Sequence, residues 1–200
     1  MKIRDIFKLG LVLVAYATAA CVGLAFVYAG TEKTIERRNR ADQEAALKEI
    51  FPAADSFEEI TGAIESSDPA VVFESEWAVR QDGRLVGAAL QAVGGSYGGP
   101  IKILAGISAA GKISRIKIME HSDTPGLGAN AADPSYFVNE EQELSFADQF
   151  TGKPVADPFE PKNDVAAISA ATITSRAVST AVKAAGAAAE KWLAEQGAEQ

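Results

Sequence analysis

The sequence predicts an α+β fold: a single N-terminal transmembrane helix followed by one domain of antiparallel strands with flanking helices. Three observations carry this. The stretch from Leu9 to Gly30 holds no charged residue, two strand pairs with turn signals lie between Trp77 and Ile118, and an alanine-rich helical stretch runs from Ile173 to about Ala194. The reading divides the chain into a leader over 1–8, the membrane span over 9–30, a juxtamembrane helical segment over 31–66 and the globular domain over 67–200.

At 1.5 Å per residue the uncharged run measures about 33 Å as a helix, enough to cross a hydrocarbon core of about 30 Å. A cleaved secretory signal has an apolar region of only about 7 to 15 residues, so the run reads as an uncleaved anchor. Thr18-Ala19-Ala20-Cys21 loosely resembles a lipoprotein processing site, but Thr18 stands where a large aliphatic residue is usual and uncharged sequence continues to Gly30. Lys2, Arg4 and Lys8 precede the span, whereas Lys33, Arg37, Arg38 and Arg40 follow it. The first helix usually sets orientation, the leader is short, and Glu32 and Glu36 dilute the downstream cluster, so the N-terminus is expected inside and the domain outside the cytoplasm.

Residues 31–50 are polar and helix-favouring, and Pro52 disfavours helical geometry at Phe51, so a helix is expected to end there. A short helix is expected at Ser56-Phe57-Glu58-Glu59-Ile60, then a turn at Ser66-Ser67-Asp68-Pro69. Trp77–Arg80 and Leu85–Leu90 flank Asp82-Gly83, a strong hairpin signal. Ile101–Ile107 and Ile113–Ile118 alternate around Ala110-Gly111-Lys112, as strands with one wet face do. Short helical or irregular pieces are expected around Phe137, Phe146 and Phe150, then a proline-containing loop from Lys153 to Lys162.

The formal net charge is −8 although the first 40 residues are net positive, so the acidity belongs to the body. That argues against nucleic acid or an anionic lipid surface as the domain's principal partner. Cys21 is the sole cysteine, which excludes an intrachain disulfide, iron–sulfur ligation and zinc-thiolate sites. His121 is the sole histidine and no nucleophile-elbow sequence accompanies it, so a serine hydrolase is a poor reading. Gly126-Leu127-Gly128-Ala129-Asn130-Ala131 matches a dinucleotide fingerprint, but a proline-containing loop separates it from the preceding strand.

Ser169 to Ser175 lies where loop becomes helix. The first-turn N–H groups there have no intrahelical partner and the helix dipole favours negative charge, so a phosphate fits; N-capping alone is the plainer reading. The wider string Val165-Ala166-Ala167-Ile168-Ser169-Ala170-Ala171-Thr172-Ile173-Thr174-Ser175 resembles the flavin-attachment motif of FMN-binding domains in the G subunit of Rnf electron-transport complexes and the C subunit of sodium-pumping NADH:quinone reductases. That motif runs Asp-x-x-Ser/Thr-Gly-Ala-Thr; here Ala166 stands at its aspartate, with Asp164 two places upstream, and Ala170 at its glycine. His121-Ser122-Asp123-Thr124-Pro125-Gly126-Leu127-Gly128 resembles the family's Glu-Thr-Pro-Gly-Leu-Gly loop, and Ser96-Tyr97-Gly98-Gly99-Pro100-Ile101 its Gly-Tyr-x-Gly-Pro-Ile strand entry.

The resemblance implies FMN esterified through its phosphate to Thr172, with Ser169 and Thr174 orienting the phosphate. It also implies Tyr97, Thr124, Pro125, Gly126, Leu127 and Gly128 bordering the ring; glycines at 126 and 128 would let backbone approach a flat ligand. It further implies an electron-relaying component of an ion-translocating complex in a bacterial cytoplasmic membrane. Its partners would be other membrane subunits of an Rnf-type complex and a flavin-attaching transferase. The alternative is a membrane-anchored sensory or assembly module with noncovalent flavin or none.

Overall fold

A computed structural model describes residues 3–60 and 62–198. Lys2 of the leader lies outside them. The chain divides into two compact units, residues 1–45 and 46–200. The first is helical: α1 runs Ile3–Ile50 without a break, and its apolar portion is long enough to cross a membrane. Leu11, Leu24 and Phe26 of this portion are each at least 70% exposed. Of the expected helical segment 31–66, only the part up to Ile50 is helix. It stops one residue before Phe51-Pro52, as the proline requires.

The second unit is built on a five-stranded antiparallel sheet in the sequential order β1 (Ser56–Glu59), β2 (Val71–Gln81), β3 (Arg84–Gly95), β4 (Pro100–Ser108), β5 (Lys112–Glu120). The β2–β3 turn places Asp82 at φ 50° and Gly83 at φ 75°, the two positive values a tight hairpin turn demands. β1 corrects the helix expected at Ser56–Ile60. Its glutamates favour a helix locally, but Phe57 pairs with Val79 and Glu58 lies 3.5 Å from Arg80, so nonlocal pairing prevails over propensity. The pieces around Phe137 to Phe150 resolve into a small ribbon, β6 (Phe137–Asn139) with β7 (Leu144–Ser145), and a 3-10 turn at Asp148–Phe150.

Each face of the sheet is covered. On one, Leu90, Ile101, Ile103, Ile107 and Ile113 meet Val178, Ala181, Val182, Ala185 and Ala189 of α2 (Thr172–Ala198), with Phe146 and Phe150 closing the layer. The alanines let α2 lie close on β3; a Cβ on Gly94 would come within 3.6 Å of the Ala177 carbonyl oxygen. On the other face, Trp77, Val79, Ala89 and Leu104 pack with Ala46, Leu47 and Ile50. Gly106 makes the seat for that contact: a Cβ there would fall 2.7 Å from Phe51 Cε2 and closer still to Ile50 Cγ2.

Candidate functional site

At the N-terminus of α2 the turn Ile168–Ala171 closes through Ala171 N–H donating to Ile168 O, with Ala170 at φ 59°. This left-handed conformation is easy for glycine and strained for alanine, a physical reason for a glycine at this place in the motif. Ser175 locks the turn from below: its Oγ accepts from Ile168 N–H (3.0 Å) and donates to Ala171 O (3.0 Å). Thr172 is the first residue of α2 and partly exposed. The amides of Thr172, Ile173 and Thr174 form the first turn, where no intrahelical acceptor exists.

These residues border an open cleft of about 420 Å³. Ala170 to Thr174 form one side, Tyr97 a second, and Asp123, Thr124, Leu127 and Gly128 the third. Tyr97 is 74% exposed, Ile173 54% and Leu127 41%, so apolar side chains ring a polar helix end. The volume lies in the range of small-molecule sites, and the chemistry suits a phosphate carrying a flat ring: unpaired amides for one, apolar walls for the other.

Tyr97, Thr124, Leu127, Gly128, Thr172 and Thr174 of the expected site residues thus converge on one cleft. Pro125 and Gly126 lie on the exposed loop without lining it, and Ser169 is exposed on the turn, its N–H 3.4 Å from Tyr136 Oη. The two loop glycines have different reasons. Gly126 has φ 76° with open space where a Cβ would be, whereas a Cβ on Gly128 would fall 2.8 Å from Asp123 Cγ and closer to Thr174 Oγ1. The close approach Gly128 permits is therefore to protein. Thr174 is buried, its Oγ1 3.2 Å from Ser96 Oγ.

The sequence places Asp123 at the start of the loop expected beside the flavin but gives it no role of its own, and it is the residue that ties the cleft together. Asp123 is 6% exposed; Ser96 Oγ donates to its Oδ2 (2.6 Å) and Gly98 N–H to its Oδ1 (2.7 Å). Burial pushes its carboxyl up, but the Ser96, Gly98 and Thr174 hydrogen bonds and the nearby His121 outweigh burial and hold it below the usual carboxylate value. Asp164, two residues before Ala166, is engaged elsewhere. It accepts from Phe159 N–H (3.1 Å) and Glu160 N–H (2.7 Å) and pairs with Lys153 (3.3 Å), so it organises the 159–165 loop. Ala166 is exposed, its backbone bonded to the Gln149 side chain on both sides.

Residues 96–187 match the FMN-binding domain family and residues 1–50 the RnfG N-terminal region. The chain is 35% identical to the G subunit of the ion-translocating oxidoreductase complex of Methanosarcina acetivorans over 187 residues, 91% of this chain and 93% of that one. It is 32% identical to the G subunit of the Na(+)-translocating ferredoxin:NAD(+) oxidoreductase complex of Acetobacterium woodii over 196 residues, 90% and 89% of the two chains. A crystal structure of Shewanella oneidensis NqrC aligns with a TM-score of 0.48 at 17% identity, covering 74% of this chain and 73% of that one. With an RnfG N-terminal region, an FMN-binding domain and relatives of this kind matched over most of their length, the chain belongs to the RnfG family, the G subunits of ion-translocating oxidoreductase complexes.

Proposed function

We propose that this chain relays electrons within an ion-translocating oxidoreductase through FMN held by a phosphoester to Thr172. The observation that carries the reading is the position of Thr172: first residue of α2, partly exposed, and bordering a cleft with apolar walls. A hydroxyl there is open to a modifying enzyme and delivers a phosphate to amides already lacking partners. The neighbouring hydroxyls within the first turn of α2 are less available: Ser175 is buried and doubly bonded, and Thr174 is buried against Ser96 and Asp123.

Bound flavin supplies reversible electron uptake; the protein supplies position, electrostatics and exclusion of water. The amides of Thr172 to Thr174 would hold the phosphate, and Tyr97, Leu127 and Ile173 would cover the ring. Attachment forms the bond between Thr172 Oγ1 and phosphorus while the transferase's donor loses its leaving group and the threonine hydroxyl its proton. A covalent tether suits a relay on a membrane-anchored domain, because a dissociating carrier would be diluted into bulk solvent. The relatives named as complex subunits support the same assembly here, with other membrane subunits of an Rnf-type complex as partners. The charge pattern around the span supports a domain on the extracytoplasmic side.

Co-expression with a flavin-attaching transferase tests the reading. In-gel flavin fluorescence after denaturation is the expected result. Flavin that washes out on denaturation, or never binds, would favour the sensory or assembly module.

A further inference from the structure

The carboxylate of Asp123 is a buried charge inside the cleft that attachment chemistry does not use. Two segments far apart in sequence meet on it: Ser96 and Gly98 of one loop lie 27 and 25 residues before it, and Thr174 comes from α2. It is also hemmed in. A Cβ on Gly98 would fall 2.8 Å from Asp123 Cα, and one on Gly128 2.8 Å from Asp123 Cγ, so the backbone closes on Asp123 from two sides. Tyr97, between its two anchors, is the aromatic residue of the cleft wall and largely exposed.

We propose that Asp123 is a positioning residue for this site and its fixed negative charge: it pins the Tyr97 loop to the N-terminal turn of α2, and it makes a flavin in the cleft harder to reduce. The inference rests on the reading that the cleft holds flavin. Its two parts have separate physical causes. Pinning follows from two short hydrogen bonds from the 96–98 loop to one carboxylate, which are charge-assisted and roughly twice as strong as neutral ones, while Thr174 of α2 bonds the same carboxylate and lies 3.2 Å from Ser96 Oγ. The electrostatic part follows from placing an anion beside a group that gains electrons, at a site where burial weakens solvent screening. Ser96 and Thr174 contribute hydroxyls and Gly98 an amide, so no lysine or arginine among these hydrogen-bond partners is built in to cancel the carboxylate.

Two variants separate charge from geometry. Asp123→Asn removes the charge and keeps the side chain's shape and one acceptor oxygen, for the Gly98 amide, with its NH2 facing Ser96 Oγ; Ser96→Ala removes that anchor and keeps the charge. In the full-length flavinylated protein, the equilibrium constant for flavin reduction by a reference dye should rise about tenfold in Asp123→Asn and much less in Ser96→Ala. An unchanged constant in flavin-bearing Asp123→Asn, or an equal rise in Ser96→Ala, would overturn the electrostatic part. In protein made without the transferase, amide exchange of the peptide covering residues 95–100 should quicken about tenfold in Asp123→Ala. Unchanged exchange there would overturn the pinning. Parent protein that takes up no flavin in the presence of active transferase would strike the flavin reading and with it the electrostatic part, while the exchange measurement still decides the pinning.

Discussion

Gly128 and Thr174 meet so closely that the loop and the helix leave no room for even a methyl group between them; a Cβ on Gly128 would overlap Thr174 Oγ1 and lie 2.8 Å from Asp123 Cβ. This contact sets the third wall of the cleft against the first turn of α2. Gly128→Ala should therefore cost about 1 to 3 kcal/mol, as overpacking of a tight interior does. Gly126→Ala should cost about 1 kcal/mol, because its positive φ is strained for alanine but its surroundings are open. Thermal unfolding of the two variants checks the order. Equal Tm losses would show that the 128–174 contact relaxes freely.

On the opposite face of the sheet, Gly106→Ala should be among the most damaging small substitutions in the domain. The added methyl falls on Ile50 and Phe51, whose packing with Trp77 and Leu104 forms the second core cluster. A loss of about 1 to 3 kcal/mol, read from the denaturant midpoint, is expected. Gly95→Ala, with open space at its Cβ, is the control and should change stability by less than about 1 kcal/mol.

The two strand pairs were legible because their information is local. Asp82-Gly83 supplies both positive-φ positions of its turn, and Ile103, Ala105 and Ile107 line the α2 face, but the wet face expected between them is absent because Leu104 is buried with Ile50 and Phe51. β1 was not legible: Ser56-Phe57-Glu58-Glu59 acquires strand geometry only by pairing with Arg80 to Trp77, distant in sequence. The cleft was half legible. Thr172, Leu127 and Tyr97 sit in recognisable strings, whereas the role of Asp123 depends on a link from Ser96 to Thr174 across 78 residues. No spacing rule reports such a link. Ala170 is the converse case, since its φ of 59° explains a motif glycine that this chain replaces.

Ala170→Gly should stabilise the turn into α2 by about 1 kcal/mol, because the backbone already occupies a conformation that glycine adopts without strain. Asp164→Asn should act oppositely, by weakening the bonds to Phe159 and Glu160 amides and the pair with Lys153. Comparing Tm of the two variants with that of the parent checks both signs.

Acid should loosen the domain through two carboxylates. Burial raises Asp123 and Asp164, but hydrogen bonds from Ser96 and Gly98 in the first case, and from Glu160, Lys153 and Phe159 in the second, leave both below their ordinary value of 3.8. A group whose folded-state value is lowered contributes stability above its unfolded value and loses it as pH falls through the folded one. Stability should therefore decline as pH drops from about 4 downward. The decline should be shallower in Asp164→Asn, which has one such group fewer. An identical pH profile in parent and variant would show that Asp164 is not coupled to folding.

The side of the membrane can be read with a reporter that works only after export, fused after Gln200. Activity is expected from that reporter and none from a cytoplasm-only reporter at the same place. The reverse pattern would invert the orientation inferred from Lys2, Arg4 and Lys8.

The most direct test of the central claim is localisation of flavin by mass spectrometry on the tryptic peptide from Asn163 to Arg176, taken from the parent, Thr172→Val and Thr174→Val proteins made with an active flavin-attaching transferase and intact export. The account predicts FMN phosphoester on Thr172 in the parent, its loss in Thr172→Val, and its retention in Thr174→Val. Flavin on Thr174 or Ser169, or an unmodified peptide in the parent, would contradict it.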